Sequence, residues 1–202
     1  MDELGSVTLP SGTTVRAVHG SILEYSGDAA VNAANEGGVT GFGVDEMFNR
    51  AAGDHEIKDF RRQFGGIPTG TAKYSPSFSH TRVKWIIHAV GPVYRANQAT
   101  AAKRQQSVED RDLQLASAWS ESLRICQTLG VSRVGFCLLS AGVFRGERSL
   151  HDVIAIGLHA LAGAVYEGLL EVTVFAYTAE EREALLQQFA AFSSQPTTMQ
   201  PP

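Results

Sequence analysis

Short apolar runs alternate with amphipathic stretches along the chain. The runs are "VTLPSGTTVRAVHG", "AAVNAA", "TAKYSP", "VKWIIHAV", "RVGFCLLS" and "EVTVFAY". "WIIHAV" and "VGFCLL" are nearly continuous in apolar residues, which suits strands buried on both faces and therefore a sheet covered by helices. Between them, Val44, Met47, Phe48 and Ala51 fall at helical spacing, with Gly53 as a stop. Leu115, Ala118, Trp119, Leu123 and Cys126 repeat the pattern up to Gly130. "SLHDVIAIGLHALAGAV" and "AEEREALLQQFAAF" read as two more helices, the first opened by Ser149 as N-cap with Asp152 three residues on. Strands and helices in alternation predict a three-layer α/β/α domain.

Some stretches depart from this plan. Residues 95–107 are polar and mildly basic, the composition of a solvated loop or of a fraying N-terminal extension of the next helix, and "KDFRRQF" at residues 58–64 reads as a solvated helix face. "SSQPTTMQPP" has the composition of a disordered tail, so one domain is expected over residues 1–192 and a tail over 193–202.

Composition narrows the function classes. A chain of 202 residues, 44% of them hydrophobic, suffices for one sizeable core. Its 17 Lys and Arg against 21 Asp and Glu leave a net charge of −4, which disfavours gripping a phosphate backbone. Cys126 and Cys137 sit in apolar patterns without metal-ligand spacing, so core thiols and no metal are expected. No apolar run approaches the ~20 residues that span a bilayer, and no signal-like segment follows Met1. The expectation is an intracellular monomer, cytoplasm and nucleus undistinguished. His88, Trp85 and Trp119 read as core residues, and His19 as a loop histidine.

Two strand exits carry candidate chemistry. Asn32 and Asn35 are followed by Gly37, Gly38, Gly41 and Gly43 and then a helix start near Val44. "LLSAGVFRGERSL" runs from an apolar strand through Ser140, Ala141, Gly142, Phe144 and Gly146 into another helix. In open α/β sheets such turns bring backbone amides to the crevice beyond the strand ends, and small residues let a diphosphate approach. Neither G-x-x-x-x-G-K-[ST] nor G-x-G-x-x-G with its distant acid is present, so kinase and dehydrogenase readings lose support and no cofactor is expected.

"DAAVNAANEGGVTGFGVDEMFNRAAG", "GGIPTGTAKYS", "WIIHAVGPVY" and "LLSAGVFRG" resemble, in order and spacing, the signature segments of the macrodomain family of ADP-ribose-binding modules, over roughly residues 13–192. The motifs are closest to the branch of mono-ADP-ribosylhydrolases and O-acetyl-ADP-ribose deacetylases. The resemblance implies a central mixed, largely parallel sheet of six or seven strands. It further implies that Asn35 bonds the distal ribose hydroxyls and that Asn32 braces the loop. Gly41, Phe42, Gly43 and Val44 would line the distal ribose and diphosphate. Ser140, Ala141, Gly142, Val143 and Phe144 would form the second phosphate loop, while Ser21, Ile22 and Tyr177 would stand at the adenine end.

Asp45 lies ten residues after Asn35, the spacing of the acidic residue in hydrolytic relatives. With Asn35 it forms the expected catalytic pair, the carboxylate orienting or deprotonating water. An acid in a first helical turn also complements the helix dipole without any catalytic role. Two departures stand out: Ser21 replaces the usual adenine-binding Asp, and Phe42 replaces a usual glycine, either narrowing the pocket or closing over the sugar. The implied function is hydrolysis of ADP-ribose derivatives: mono-ADP-ribosyl groups on proteins, O-acetyl-ADP-ribose or ADP-ribose 1″-phosphate. The alternative is a non-catalytic reader that docks on mono-ADP-ribosylated proteins.

Overall fold

The first apolar run is two strands rather than one, because Pro10 and Gly12 break it and Leu9 and Thr13 close a tight turn through Leu9 N to Thr13 O at 2.9 Å. In the computed structural model, which describes residues 1–95 and 106–194, these strands are β1 (Asp2–Thr8) and β2 (Thr14–His19). The others are β3 (Ala29–Ala33), β4 (Ala72–Pro76), β5 (Trp85–Ala89), β6 (Arg133–Cys137) and β7 (Glu171–Ala176). They form one seven-stranded sheet in the order β1-β2-β7-β6-β3-β5-β4. The five central strands run parallel, and β1 and β4 close the edges antiparallel.

The helices are α1 (Val44–Ala52), α2 (Asp54–Arg62), α3 (Val108–Thr128), α4 (Leu150–Gly163) and α5 (Ala179–Ser194). Helices α1 and α2 pack together against β3 and β4, while α3, α4 and α5 lie side by side, which gives the three-layer arrangement. The core between sheet and helices is sealed by Trp119, stacked on Phe136 with ring centroids 4.6 Å apart.

Capping departs from the sequence expectation. Ser149 occupies the N-cap of α4 but makes no side-chain capping bond, and Asp152 accepts from Arg148 Nη1 at 2.8 Å. A full capping box instead opens α3, where Ser107 and Asp110 exchange backbone bonds of 3.0 Å. At the other end of the chain α5 continues through Ser193 and Ser194 into the segment expected to be a tail; residues 195–202, like 96–105 of the expected loop, lie outside the described residues. Trp119 is buried as expected, whereas Trp85 is only half-buried, edge-on to Tyr74.

Helix α2 requires a larger correction. Ile57, Phe60, Arg61 and Phe64 recur at helical spacing on its inner side, so "KDFRRQF" is not a solvated face throughout. Arg62 is exposed, but Arg61 is buried at 1% exposure.

Candidate functional site

Because the central strands are parallel, their carboxyl ends open on one edge of the sheet. A cleft of about 530 Å³ runs along that edge, from the ends of β2 and β7, past β6, to the end of β3 and the start of α1. Among the residues singled out from sequence, Ser21, Ile22, Asn35, Gly41, Phe42, Gly43, Val44, Asp45, Ser140, Ala141, Gly142, Val143, Phe144 and Tyr177 all line it. Asn32 does not; it is fully buried beneath the floor.

The cleft has distinct regions. Ile22, Phe175 and Tyr177 make an apolar end, where the Ser21 hydroxyl is occupied in capping a 3-10 turn by accepting from Leu23 N at 3.3 Å. His19 lies outside this wall. In the middle and at the far end stand the two loops. The backbone amides of Phe42, Gly43, Val44, Gly142, Val143 and Phe144 find no acceptor among the described residues, an arrangement that leaves two sets of donors for an anion in the cleft.

Both loops are held by their own hydrogen bonds. The second is fixed by Ser140 Oγ donating to Pro92 O at 2.8 Å, by Tyr94 N to Phe144 O at 2.7 Å and by Arg145 Nε to Ala141 O at 3.2 Å. Ser140 therefore contributes backbone rather than hydroxyl to the wall, and its φ of 56° is the strained conformation that this requires. Gly91 permits the arrangement, since a Cβ there would stand 2.2 Å from Ser140 Oγ.

The first loop closes over Asp45. Gly41 N donates to Asp45 Oδ2 at 2.6 Å, and a Cβ on Gly41 would press within 3.1 Å of Asn35 Nδ2. Asp45 Oδ1 accepts from Asn32 Nδ2 at 2.5 Å and from Arg61 Nη1 at 2.8 Å, with Arg61 Nη2 a further 3.5 Å from Oδ2. The carboxylate is 2% exposed, with its charge compensated and its lone pairs occupied.

A buried chain continues from Asn32. Its Nδ2, which must be the face turned to the acceptor-only carboxylate, also donates to His88 Nδ1 at 3.2 Å. His88 is then a neutral imidazole protonated on Nε2, donating to Ser75 Oγ at 3.0 Å, and that hydroxyl donates to Pro76 O at 2.9 Å. Burial first, and the Arg61 charge second, hold its pKa well below 6.5. Cys137 reaches the cleft floor, but burial pushes its thiol up to about 12, so it is no nucleophile at neutral pH.

Phe42 lines the cleft at 91% exposure, and Val143 and Tyr177 are further exposed apolar residues of its lining. Sequence reading missed Gly91, Pro92 and above all Arg61. The signal for Arg61 was its helical register with Ile57 and Phe64, obscured by the charged neighbours Lys58, Asp59 and Arg62.

Residues 31–153 match the macro domain family model. The chain belongs to the macro domain family. A macro domain-containing protein of Streptomyces coelicolor is 37% identical over 155 residues, covering 74% of this chain and 83% of its own. An O-acetyl-ADP-ribose deacetylase of Escherichia fergusonii is 30% identical over 162 residues, covering 75% of this chain and 85% of its own. Among solved structures, a macrodomain variant of Oceanobacillus iheyensis with ADPR superposes with a TM-score of 0.79 at 21% identity, covering 95% of this chain and 99% of that one. The fold thus has the three-layer arrangement that the alternating pattern predicts, and it is the macrodomain fold that the motif resemblance implies. Among the described residues, no cluster of three or more His, Cys, Asp or Glu could hold a metal ion, and no helix is long and apolar enough to cross a membrane.

Proposed function

We propose that the cleft binds ADP-ribose and that the protein hydrolyses ADP-ribose derivatives: mono-ADP-ribosyl groups on proteins, O-acetyl-ADP-ribose or ADP-ribose 1″-phosphate. The observation that carries the binding reading is the pair of amide-lined loops facing one cleft, with a carboxamide at one end and an aromatic ring at the other. The amides of Phe42, Gly43 and Val44 take one side of the diphosphate and those of Gly142, Val143 and Phe144 the other. The adenine lies against Ile22 and Tyr177, with Ser21 beside it. Asn35, whose Nδ2 is committed to Val39 O at 2.7 Å, retains Oδ1 and one N–H for the vicinal hydroxyls of the distal ribose. The deacetylase name of one relative and the ADPR bound to a structural neighbour support the same ligand.

Hydrolysis places water at the distal ribose, oriented by Asn35 and by the wall that Asp45 holds. One observation favours the second reading, a non-catalytic reader: the Asp45 carboxylate is buried and paired with Arg61, so it is poorly placed to take a proton. Calorimetry with ADP-ribose tests the ligand; absence of binding at millimolar concentration sinks both readings. A demodification assay on a mono-ADP-ribosylated protein separates them. Wild type releasing ADP-ribose, with Asn35→Ala reduced by about tenfold or more in rate, supports the enzyme; binding without release leaves the reader.

A further inference from the structure

The cleft loop that carries Asn35 is tied down from outside the cleft, by a residue of another helix. Arg61 of α2 donates through Nη1 to Asp45 Oδ1 at 2.8 Å and to Asn49 Oδ1 at 3.2 Å, and through Nη2 to Val39 O at 3.3 Å. Val39 O is also the acceptor of Asn35 Nδ2, and Asp45 is the acceptor of Gly41 N. One guanidinium therefore reaches both anchor points of the loop, the carbonyl that orients the Asn35 carboxamide and the carboxylate that holds Gly41. Its planar fork suits this, because a single group must meet a carboxylate, a carboxamide and a carbonyl in fixed directions.

The buried position of Arg61 is costly, and among the described residues its side-chain hydrogen-bond partners are Val39 of this loop and Asp45 and Asn49 of α1. We propose that Arg61 is a positioning residue that fixes Asn35 and Gly41, and through them sets the preference of the cleft for a nucleotide carrying a distal ribose over one that ends at the diphosphate. The proposal rests on the ADP-ribose reading. ADP reaches the adenine end and both amide-lined loops but presents no second sugar to Asn35. ADP-ribose needs the carboxamide aimed at its hydroxyls, and that aim is what Val39 O and Arg61 provide. A merely structural arginine would, when lost, weaken both nucleotides alike.

The test is calorimetric titration of the full chain with ADP-ribose and with ADP, for wild type, Arg61→Lys and the pair variant Asp45→Asn/Arg61→Met. Lysine keeps a charge against Asp45 but cannot also bond Val39 O, and the pair variant removes both buried charges so that the fold survives. The expected result is a preference of wild type for ADP-ribose that falls by about tenfold in both variants, with ADP affinity changed less than about twofold. If wild type binds no ADP-ribose, the ligand reading falls and this inference with it. If wild type prefers ADP-ribose and the folded variants keep that preference, or lose both nucleotides in proportion, only the positioning role of Arg61 is overturned.

Discussion

Removing the Asp45 carboxylate leaves the Arg61 guanidinium buried at 1% exposure without its counter-charge. Breaking one side of a buried ion pair costs about 3 to 5 kcal/mol, more than either hydrogen bond alone, because the surviving charge stays desolvated. Asp45→Ala also strips an acceptor from Asn32 Nδ2 and from Gly41 N, which pushes the cost towards the upper end. For a chain of 202 residues, each kcal/mol moves Tm by about 2 to 4 °C, so the expected drop is roughly 6 to 20 °C. Asp45→Asn/Arg61→Met should cost less than Asp45→Ala, since neither buried charge remains and the introduced carboxamide oxygen can still accept from Gly41 N, leaving the loss of the Asn32 and Asn49 bonds as the main cost. Thermal melts and urea titrations followed by circular dichroism read both values. An Asp45→Ala protein that melts within about 2 °C of wild type refutes the reasoning, because a carboxylate worth so little cannot be the counter-charge of a desolvated arginine. The same magnitude bears on function. Loss of hydrolysis in Asp45→Ala assigns no proton transfer to Asp45 unless the variant is shown to be folded at the assay temperature, and the pair variant is the proper control.

Two further outcomes follow from the buried layers. His88 is neutral in the fold and titrates near 6.5 when unfolded, so the unfolded state takes up the proton first; stability is full above about 6.5 and falls by up to about 1.4 kcal/mol per pH unit as the pH drops below it. His88→Gln, compared with wild type by urea unfolding between pH 7 and pH 5, should flatten that limb, and an unchanged slope would remove His88 as its source. Gly157→Ala sets a Cβ 2.6 Å from the Trp119 ring, which the stack on Phe136 prevents from moving. Overpacking of about 1 to 3 kcal/mol outweighs the gain of up to about 1 kcal/mol in helix propensity, so Tm should fall, and a Tm at or above that of wild type would mean that the ring has room.

What the sequence by itself determined was what depends on local pattern. Near-continuous apolar strands, helical periodicity and glycine-rich strand exits called for a sheet covered by helices with a cleft at the strand ends, while the resemblance to macrodomains supplied the largely parallel sheet and the cleft residues, which line it except Asn32. Backbone conformation and binary pattern are encoded within a few residues, so they are legible without the fold. Partnership is not. That Asp45 is compensated rather than free depends on Arg61, sixteen residues away on another helix, and on Asn32, held in place by His88 of a neighbouring strand. A buried arginine is stable only where tertiary structure assembles its acceptors around it, and a charged segment read alone points to water. The same holds for Gly91, whose missing side chain matters only because Ser140 turns back to Pro92 across the cleft wall.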